Sequence, residues 1–575
     1  MTAAPLFAEL IPFKPRSFLP RSLDLGNWTE IEPLFDKLET SSASLQSATD
    51  LEQWLLQYSE LSAALSEESS RRYISMTCHT DDPECEKAYL HFLEKIEPRA
   101  KPRHFTLQQR VALCPQGTQL PEERFYIYLR SVRNQVSLYR EKNVPLQTAE
   151  SKLSQQYQKI SGAMTVTHDG QEKTLIQMGR LLENRDRSLR EEAWSLMARR
   201  RMRDADELDG LFEELLGLRT QLAQNADLPD YRAYCFRNYE RFDYTPEDCL
   251  RFHESIERHF VPLARLLQEK RRRALSLEKL RPWDMDVDPE NAPPLEPFTE
   301  ISQLIGRTQE IFDGLDPELG EGFRLMNQKG LLDLANRKGK APGGYQASLS
   351  EARLPFIFMN AVGQQRDVDT LLHEAGHAFH ALAVRNEDLS FVRGAPMEFC
   401  EVASMSMELL AAPHLEKFYS PADAARARTR HLEGIIRFFP WMATIDAFQH
   451  WIYTHPGHSR SDRHAAWLDV HARFGGVEDW SGWEEYRRRL WHRQLHIFEY
   501  PFYYVEYGIA QLGALQVWRR ARENPQAALT DYKTALAWGG KKSLPDLFAA
   551  AGIRFDFSED TIAPLVSLLR KELDL

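Results

Sequence analysis

Leu371-Leu372-His373-Glu374-Ala375-Gly376-His377-Ala378-Phe379-His380 decides how this chain is read, because it sets H-E-x-x-H among residues that favour a helix. On an α-helix, residues four apart lie one above the other, so His373 and His377 can aim imidazole nitrogens at a single point. That point suits a zinc ion, which in a catalytic site takes three protein ligands and keeps a fourth position for water. Glu374, beside the first histidine, can reach such a water as general base. Gly376 costs about 1 kcal/mol relative to alanine inside a helix and asks for a packing or functional reason.

A third ligand has to come from a neighbouring element. Met397 to Glu408 has a helical pattern and offers Glu398, Glu401 and Glu408, among which spacing alone does not choose. The spacing does exclude the metzincin pattern, whose third histidine falls six residues after the second. His380, one turn beyond His377, reads as packing against the site or as a satisfied core histidine.

Composition bounds the rest. The chain has 575 residues, 43% hydrophobic and 27% charged, as expected of an ordinary globular protein. Its 72 Lys+Arg against 84 Asp+Glu give a net charge of −12, which argues against nucleic acid or an anionic membrane as the main partner. Basic runs at Arg199–Arg203, Lys270–Arg273 and Arg487–Arg489 lie in helical patterns and read as solvated or ion-paired faces. Six scattered cysteines without a C-x-x-C indicate reduced thiols and a cytoplasmic location. Cys78-His79 with Cys85 lacks a fourth metal ligand. The first five residues lack the pattern of a secretory leader, and no apolar run reaches the 18 residues needed to span a membrane. Oligomeric state is not readable.

Along the chain, residues 1 to about 25 are proline-rich and read as an irregular strap. Amphipathic helical patterns follow, the first opening with a capping-box pattern at Thr49-Asp50-Leu51-Glu52. Asp169-Gly170 predicts a hairpin near 163–175. We therefore expect a helical N-terminal region over 1–180 and a catalytic region over 181–575. The run from Pro282 to Pro297 breaks the helical pattern, and its D-x-D-x-D fails the calcium-loop test because Pro289 stands where glycine is required. Asp333 to Tyr345 is basic and glycine-rich but fits no nucleotide fingerprint, and it reads as a turn into a strand. Leu354–Asn360 has the length and apolarity of that strand, whose free edge could hold a peptide backbone. Near the C-terminal end, Gln494 to Gly508 is dense in tyrosine. Pro501 predicts the first turn of a helix, with His496 just before it and Tyr503, Tyr504 and Tyr507 in its first turns. Hydroxyls and an imidazole there could supply donors to an oxyanion.

These stretches, in order over 333–508, resemble the zinc oligopeptidases of the thimet oligopeptidase and oligoendopeptidase F type, the Pz-peptidase branch nearest. The resemblance rests on Arg337–Lys340, Pro355–Asn360, Asp367–His380, Glu401–Ser404 and the His496–Tyr507 block. It implies one Zn²⁺ held by His373, His377 and Glu401, Glu374 as base, and Glu408 orienting a ligand histidine. It also implies His496, Tyr503 and Tyr507 as contacts to substrate and transition state, although Glu499-Tyr500-Pro501 stands where thimet oligopeptidase-like chains have a glycine-rich loop. The implied fold is a mainly α ellipsoid whose two halves enclose a deep channel, with a small sheet near the H-E-x-x-H helix. The implied activity is cleavage of internal bonds in short, unstructured peptides; the rivals are a thermolysin-type endopeptidase acting on proteins and a non-catalytic peptide-binding protein.

Overall fold

The H-E-x-x-H stretch lies in a helix, Gln365–Ala383, whose start is fixed by one carboxylate. Asp367 Oδ2 accepts the backbone N–H groups of Val362, Gly363 and Gln364 at 2.8, 2.9 and 2.9 Å. Those amides precede the helical hydrogen-bond pattern and would otherwise lack partners. The computed structural model describes Phe7 and residues 10–575; the remainder of the N-terminal strap, including all of the first five residues on which the leader reading rests, lies outside the described residues. The fold is mainly helical, with one two-stranded and one three-stranded sheet among the described residues.

In the small ribbon, β1 (Thr165–His168) pairs antiparallel with β2 (Gln171–Thr174) across Asp169-Gly170. Both turn residues have positive φ, 53° and 74°, the conformation that aspartate and glycine tolerate best. In the larger sheet, β3 (Leu332–Ala335), β4 (Tyr345–Leu349) and β5 (Leu354–Ala361) lie in the order β3-β5-β4. β5 is parallel to β3 and antiparallel to β4, so both of its edges are paired. This corrects the expectation that Leu354–Asn360 offers a free edge. Being central, β5 is apolar on both faces and almost wholly buried. The unpaired edges of the sheet belong to β3 and β4.

The basic turn before β4 turns its charge inward. Lys340 Nζ is buried and donates to the carbonyls of Asp333 and Ala335, both at 2.9 Å, and to that of Met359. Arg337 grips the Asp333 carboxylate at 2.6 and 2.7 Å. The turn is a clasp between β3 and β5.

Contacts divide the chain into two units, Met1–Ser137 with Leu295–Arg428 and Ala510–Phe555, and Leu138–Pro294 with Thr429–Ile509 and Asp556–Leu575. In the first unit, the helices Trp28–Ser41, Ala48–Cys78 and Glu97–Leu113 bury Phe35, Trp54, Tyr58 and Leu107 in a common core. The Ala48–Cys78 helix is capped by Ser47, whose Oγ accepts the Asp50 N–H while Asp50 accepts the Ser47 N–H, so the box sits two residues before the expected Thr49. No helix or strand lies between Asp284 and Ile301, as the proline-rich break implied.

In the second unit, fully buried Arg219 donates to Glu150 Oε1 at 2.7 Å, Tyr453 Oη at 2.8 Å, Ile497 O at 3.0 Å and Phe498 O. It thereby fixes the short helix Leu495–Glu499, which carries His496. Removing a buried cation strands its carboxylate and carbonyl partners, a loss of about 3 kcal/mol. We expect Arg219→Met to lower the chemical-denaturation midpoint accordingly; an unchanged midpoint would remove Arg219 from this role.

Candidate active site

The helix Met397–Ala411 packs along the H-E-x-x-H helix and supplies the acidic side of the site. Their approach is close enough that a Cβ on Gly376 would fall 2.6 Å from both Ala403 O and Ser404 Cα. Backbone cannot yield as a side-chain tip can, and this is the reason for glycine inside the helix. With the helices so near, His373 Nε2 lies 3.3 Å and His377 Nε2 3.7 Å from Glu401 Oε2. The three donors form one group within 4.8 Å of one another.

The same helix holds these donors in place. Glu408 Oε1 is 2.7 Å from His373 Nδ1, and since a carboxylate only accepts, Nδ1 carries a proton and the ring is held with Nε2 directed towards Glu401. Ser404 Oγ donates to Glu401 Oε2 at 2.9 Å. The three glutamates are thus separated by the structure: Glu401 joins the histidines and Glu408 stands behind one of them, while Glu398 is outside the group. Two imidazoles and a carboxylate are a donor set that zinc accepts, and the buttressing of a ligand histidine by a carboxylate is the usual support for such a centre.

Electrostatics point the same way. Burial disfavours a charge on His373, yet the hydrogen bonds it donates to Glu401 and Glu408 outweigh this and push its pKa well above the ordinary value. Burial pulls His377 down to about 4. Burial also works against ionised Glu401, but its bond to His373 and the charge of His377 keep it below the usual carboxylate value. The pocket therefore calls for one positive charge among these residues. Glu374, 8% exposed, is pushed up to about 7, first by burial and then by the charge of Glu401 against the pull of His373. The backbone of Gln346 on β4 acts in the opposite sense and lowers it, so that strand lies near the carboxylate.

His380 is buried, its pKa lowered by burial to about 4, and its Nε2 has no hydrogen-bond partner. Two further groups of possible ligands, Asp209 with His464 and His492 and Cys249 with Asp446 and His450, lie in the second unit and are wholly buried. His373 and His377, at 25% and 18% side-chain exposure, keep the open face that a catalytic centre needs.

His496, Tyr503 and Tyr507 belong to the second unit and cluster there. The His496 ring stacks on Tyr503 at 6.3 Å and meets Tyr507 edge-on at 6.1 Å and Tyr504 at 4.7 Å. The indole N–H of Trp441 donates to Gln494 Oε1 at 3.1 Å, so the Gln494 amide nitrogen faces His496 Nδ1, 2.7 Å away. Nδ1 accepts, and the ring proton sits on Nε2. Burial lowers this imidazole to about 4, so it is neutral at pH 7. Pro501 does not open the helix as expected: His496 lies in the helix Leu495–Glu499, a turn follows, and the next helix begins at Tyr504. Phe502 takes a positive φ of 65°, with its N–H held by Gln449 Oε1 at 2.9 Å and its carbonyl by Arg241. Spacing from Pro501 could not reveal these supports, nor Arg219.

A family model described as Peptidase family M3 matches residues 180–566, more than half of the chain. The chain belongs to peptidase family M3. The Peptidase M3 N-terminal domain matches residues 23–139. Oligoendopeptidase F, chromosomal, of Lactococcus lactis subsp. cremoris is 26% identical over 27% of this chain and 25% of its own length. An oligoendopeptidase F homolog of Borreliella burgdorferi is 24% identical over 41% of each. The matches thus span well under two thirds of these relatives. Solved Pz peptidase A with an inhibitor superposes at TM-score 0.86 with 28% identity, over 97% of this chain and 99% of that one. An oligoendopeptidase F from Enterococcus faecium has TM-score 0.62 and 15% identity over 95% and 96%, a likeness of fold. The H-E-x-x-H helix and Glu401 lie inside the matched M3 region.

Because the Gly376 contact is backbone to backbone, Gly376→Ala should lose about 1–3 kcal/mol through overpacking, despite alanine's better helix propensity. A thermal-melting midpoint at or above that of the unaltered protein would contradict this.

Proposed function

We propose that this M3 protein is a zinc-dependent oligopeptidase that hydrolyses internal bonds of short, unstructured peptides, with the chemistry in residues 181–575. The observation that carries this reading is the convergence of His373, His377 and Glu401 beside a buried Glu374. His373, His377 and Glu401 would hold the ion. When bound there, zinc supplies Lewis acidity that polarises water and a carbonyl oxygen.

The chain's own groups do the rest. Glu374, with a pKa near 7, is matched to taking a proton from the attacking water and returning it to the leaving amine. The free edge of β4 pairs with the peptide backbone and brings it past Glu374. To His496, through its Nε2–H, and to the hydroxyls of Tyr503 and Tyr507 we assign donation to the developing oxyanion. Among the described residues no helix is long and apolar enough to cross a membrane. All six cysteines are unpaired, which supports our assignment to the cytoplasm.

Quenched peptides of graded length test the reading. Cleavage should stop on chelation, return with zinc and show an upper length limit. Cleavage of intact proteins would instead favour a thermolysin-type enzyme, and binding without turnover in the zinc-loaded form a peptide-binding protein. Glu374→Gln should retain zinc and lose roughly 10³-fold or more in kcat; near-normal turnover would sink its role as base. Glu408→Gln should weaken zinc binding about 10–100-fold in a competitive chelator titration, because the His373 tautomer loses its anchor. Unchanged zinc affinity would show that Glu408 does not position the ligand.

A further inference from the structure

Beside His377 lies a cavity of about 260 Å³, lined by Gln346 and Ser348 of β4 and by Arg353, Arg385 and Arg393. In a chain of net charge −12, three arginines around one cavity need an account of their counter-charges. Asp388 is taken by Lys14 at 2.6 Å and Arg353 at 3.0 Å. Glu387 is taken by Arg124 at 2.5 Å and Lys541 at 3.5 Å. Arg393 donates to the carbonyls of Ser350, Glu387 and Asp388 at 2.7, 2.8 and 3.1 Å.

Arg385 is left over. Among the described residues no carboxylate pairs with it, its buried Nε has no hydrogen-bond partner, and its guanidinium lies 4.7 Å from the Phe13 ring. Burial and the charge of Arg353 both act against its protonated form, so a bound anion would relieve a cost already present. A planar guanidinium presents a fork of donors that matches a carboxylate.

We propose that this cavity is a subsite for a carboxylate of the bound peptide, with Arg385 as the residue that recognises it. The inference rests on the peptidase reading above and adds a preference to it: the enzyme favours peptides that place a negative charge next to the cleavage site. That charge has two sources, an acidic side chain or the peptide's own C-terminal carboxylate.

Three quenched peptides of one sequence separate them: neutral with an amidated C-terminus, the same with one Gln replaced by Glu at successive positions, and the neutral peptide with a free C-terminus. With the zinc-loaded full chain, we expect kcat/KM to favour one charged series over the neutral peptide about tenfold. The ratio should fall as salt is raised, collapse to about one in Arg385→Gln, and persist in part in Arg385→Lys. Preference for internal Glu identifies a side chain as the ligand; preference for the free terminus identifies the C-terminal carboxylate. A ratio near one in the unaltered protein for both series overturns the subsite, as does a preference that Arg385→Gln retains. If no peptide is cleaved, the peptidase reading falls on its own. Anisotropy titration of the same labelled peptides then decides the subsite, and equal affinity for charged and neutral peptides overturns it.

Discussion

The close approach of two helices at Gly376 is the constraint on which the site depends. With no side chain there, the backbone of Ala403 and Ser404 moves in against the H-E-x-x-H helix, and Glu401 and Glu408 arrive on either side of His373. Tyr532 secures the arrangement from behind, its hydroxyl donating to Ala403 O at 2.8 Å. A carboxylate contributed from a separate helix is only as well placed as the packing between the helices allows, and here that packing is backbone against helix. The other end of the same helix is held by Asp367, so register and direction of the histidines are set independently of any ligand.

Burial then divides the titratable groups by function. One carboxylate, Glu401, is kept ionised by its histidine partners, while another, Glu374, is raised to about 7 because burial outweighs the help it receives. Two carboxylates in one pocket with opposite tendencies are what the proposed division of labour asks for, Glu401 holding charge and Glu374 moving protons. His496 follows the same logic in the second unit: burial keeps it neutral, and Trp441 acting through Gln494 decides which nitrogen carries the proton.

Much of this was legible in residue order, because helical periodicity and the four-residue histidine spacing are local. What was not legible was decided by contacts distant in sequence. Glu398, Glu401 and Glu408 occupy compatible positions on one helix, so spacing leaves the choice open and the family resemblance alone singles out Glu401; the packing at Gly376 is the physical reason it stands beside the histidines. Leu354–Ala361 announces a strand through its apolarity, but which strand has a free edge depends on strand order, to which no local pattern is sensitive. Ser47–Asp50 and Thr49–Glu52 both satisfy the capping pattern, and the helix takes the earlier. Pro501 fits the first turn of a helix in isolation; the positive φ of Phe502, held by Gln449 and Arg241, places a turn there instead.

Of the two edge strands, the one that lies near Glu374 is only five residues long, Tyr345–Leu349. At about 3.3 Å per residue it spans roughly 17 Å of extended chain. A backbone ladder of that size would grip any sequence equally, and since it repeats every two residues, a peptide shifted by two would find the same bonds. Nothing in the ladder itself dictates which bond is presented. If peptides are cut there, as we propose, one peptide would give a family of overlapping fragments, and the choice among them would fall to the side-chain contacts beyond the ends of the strand.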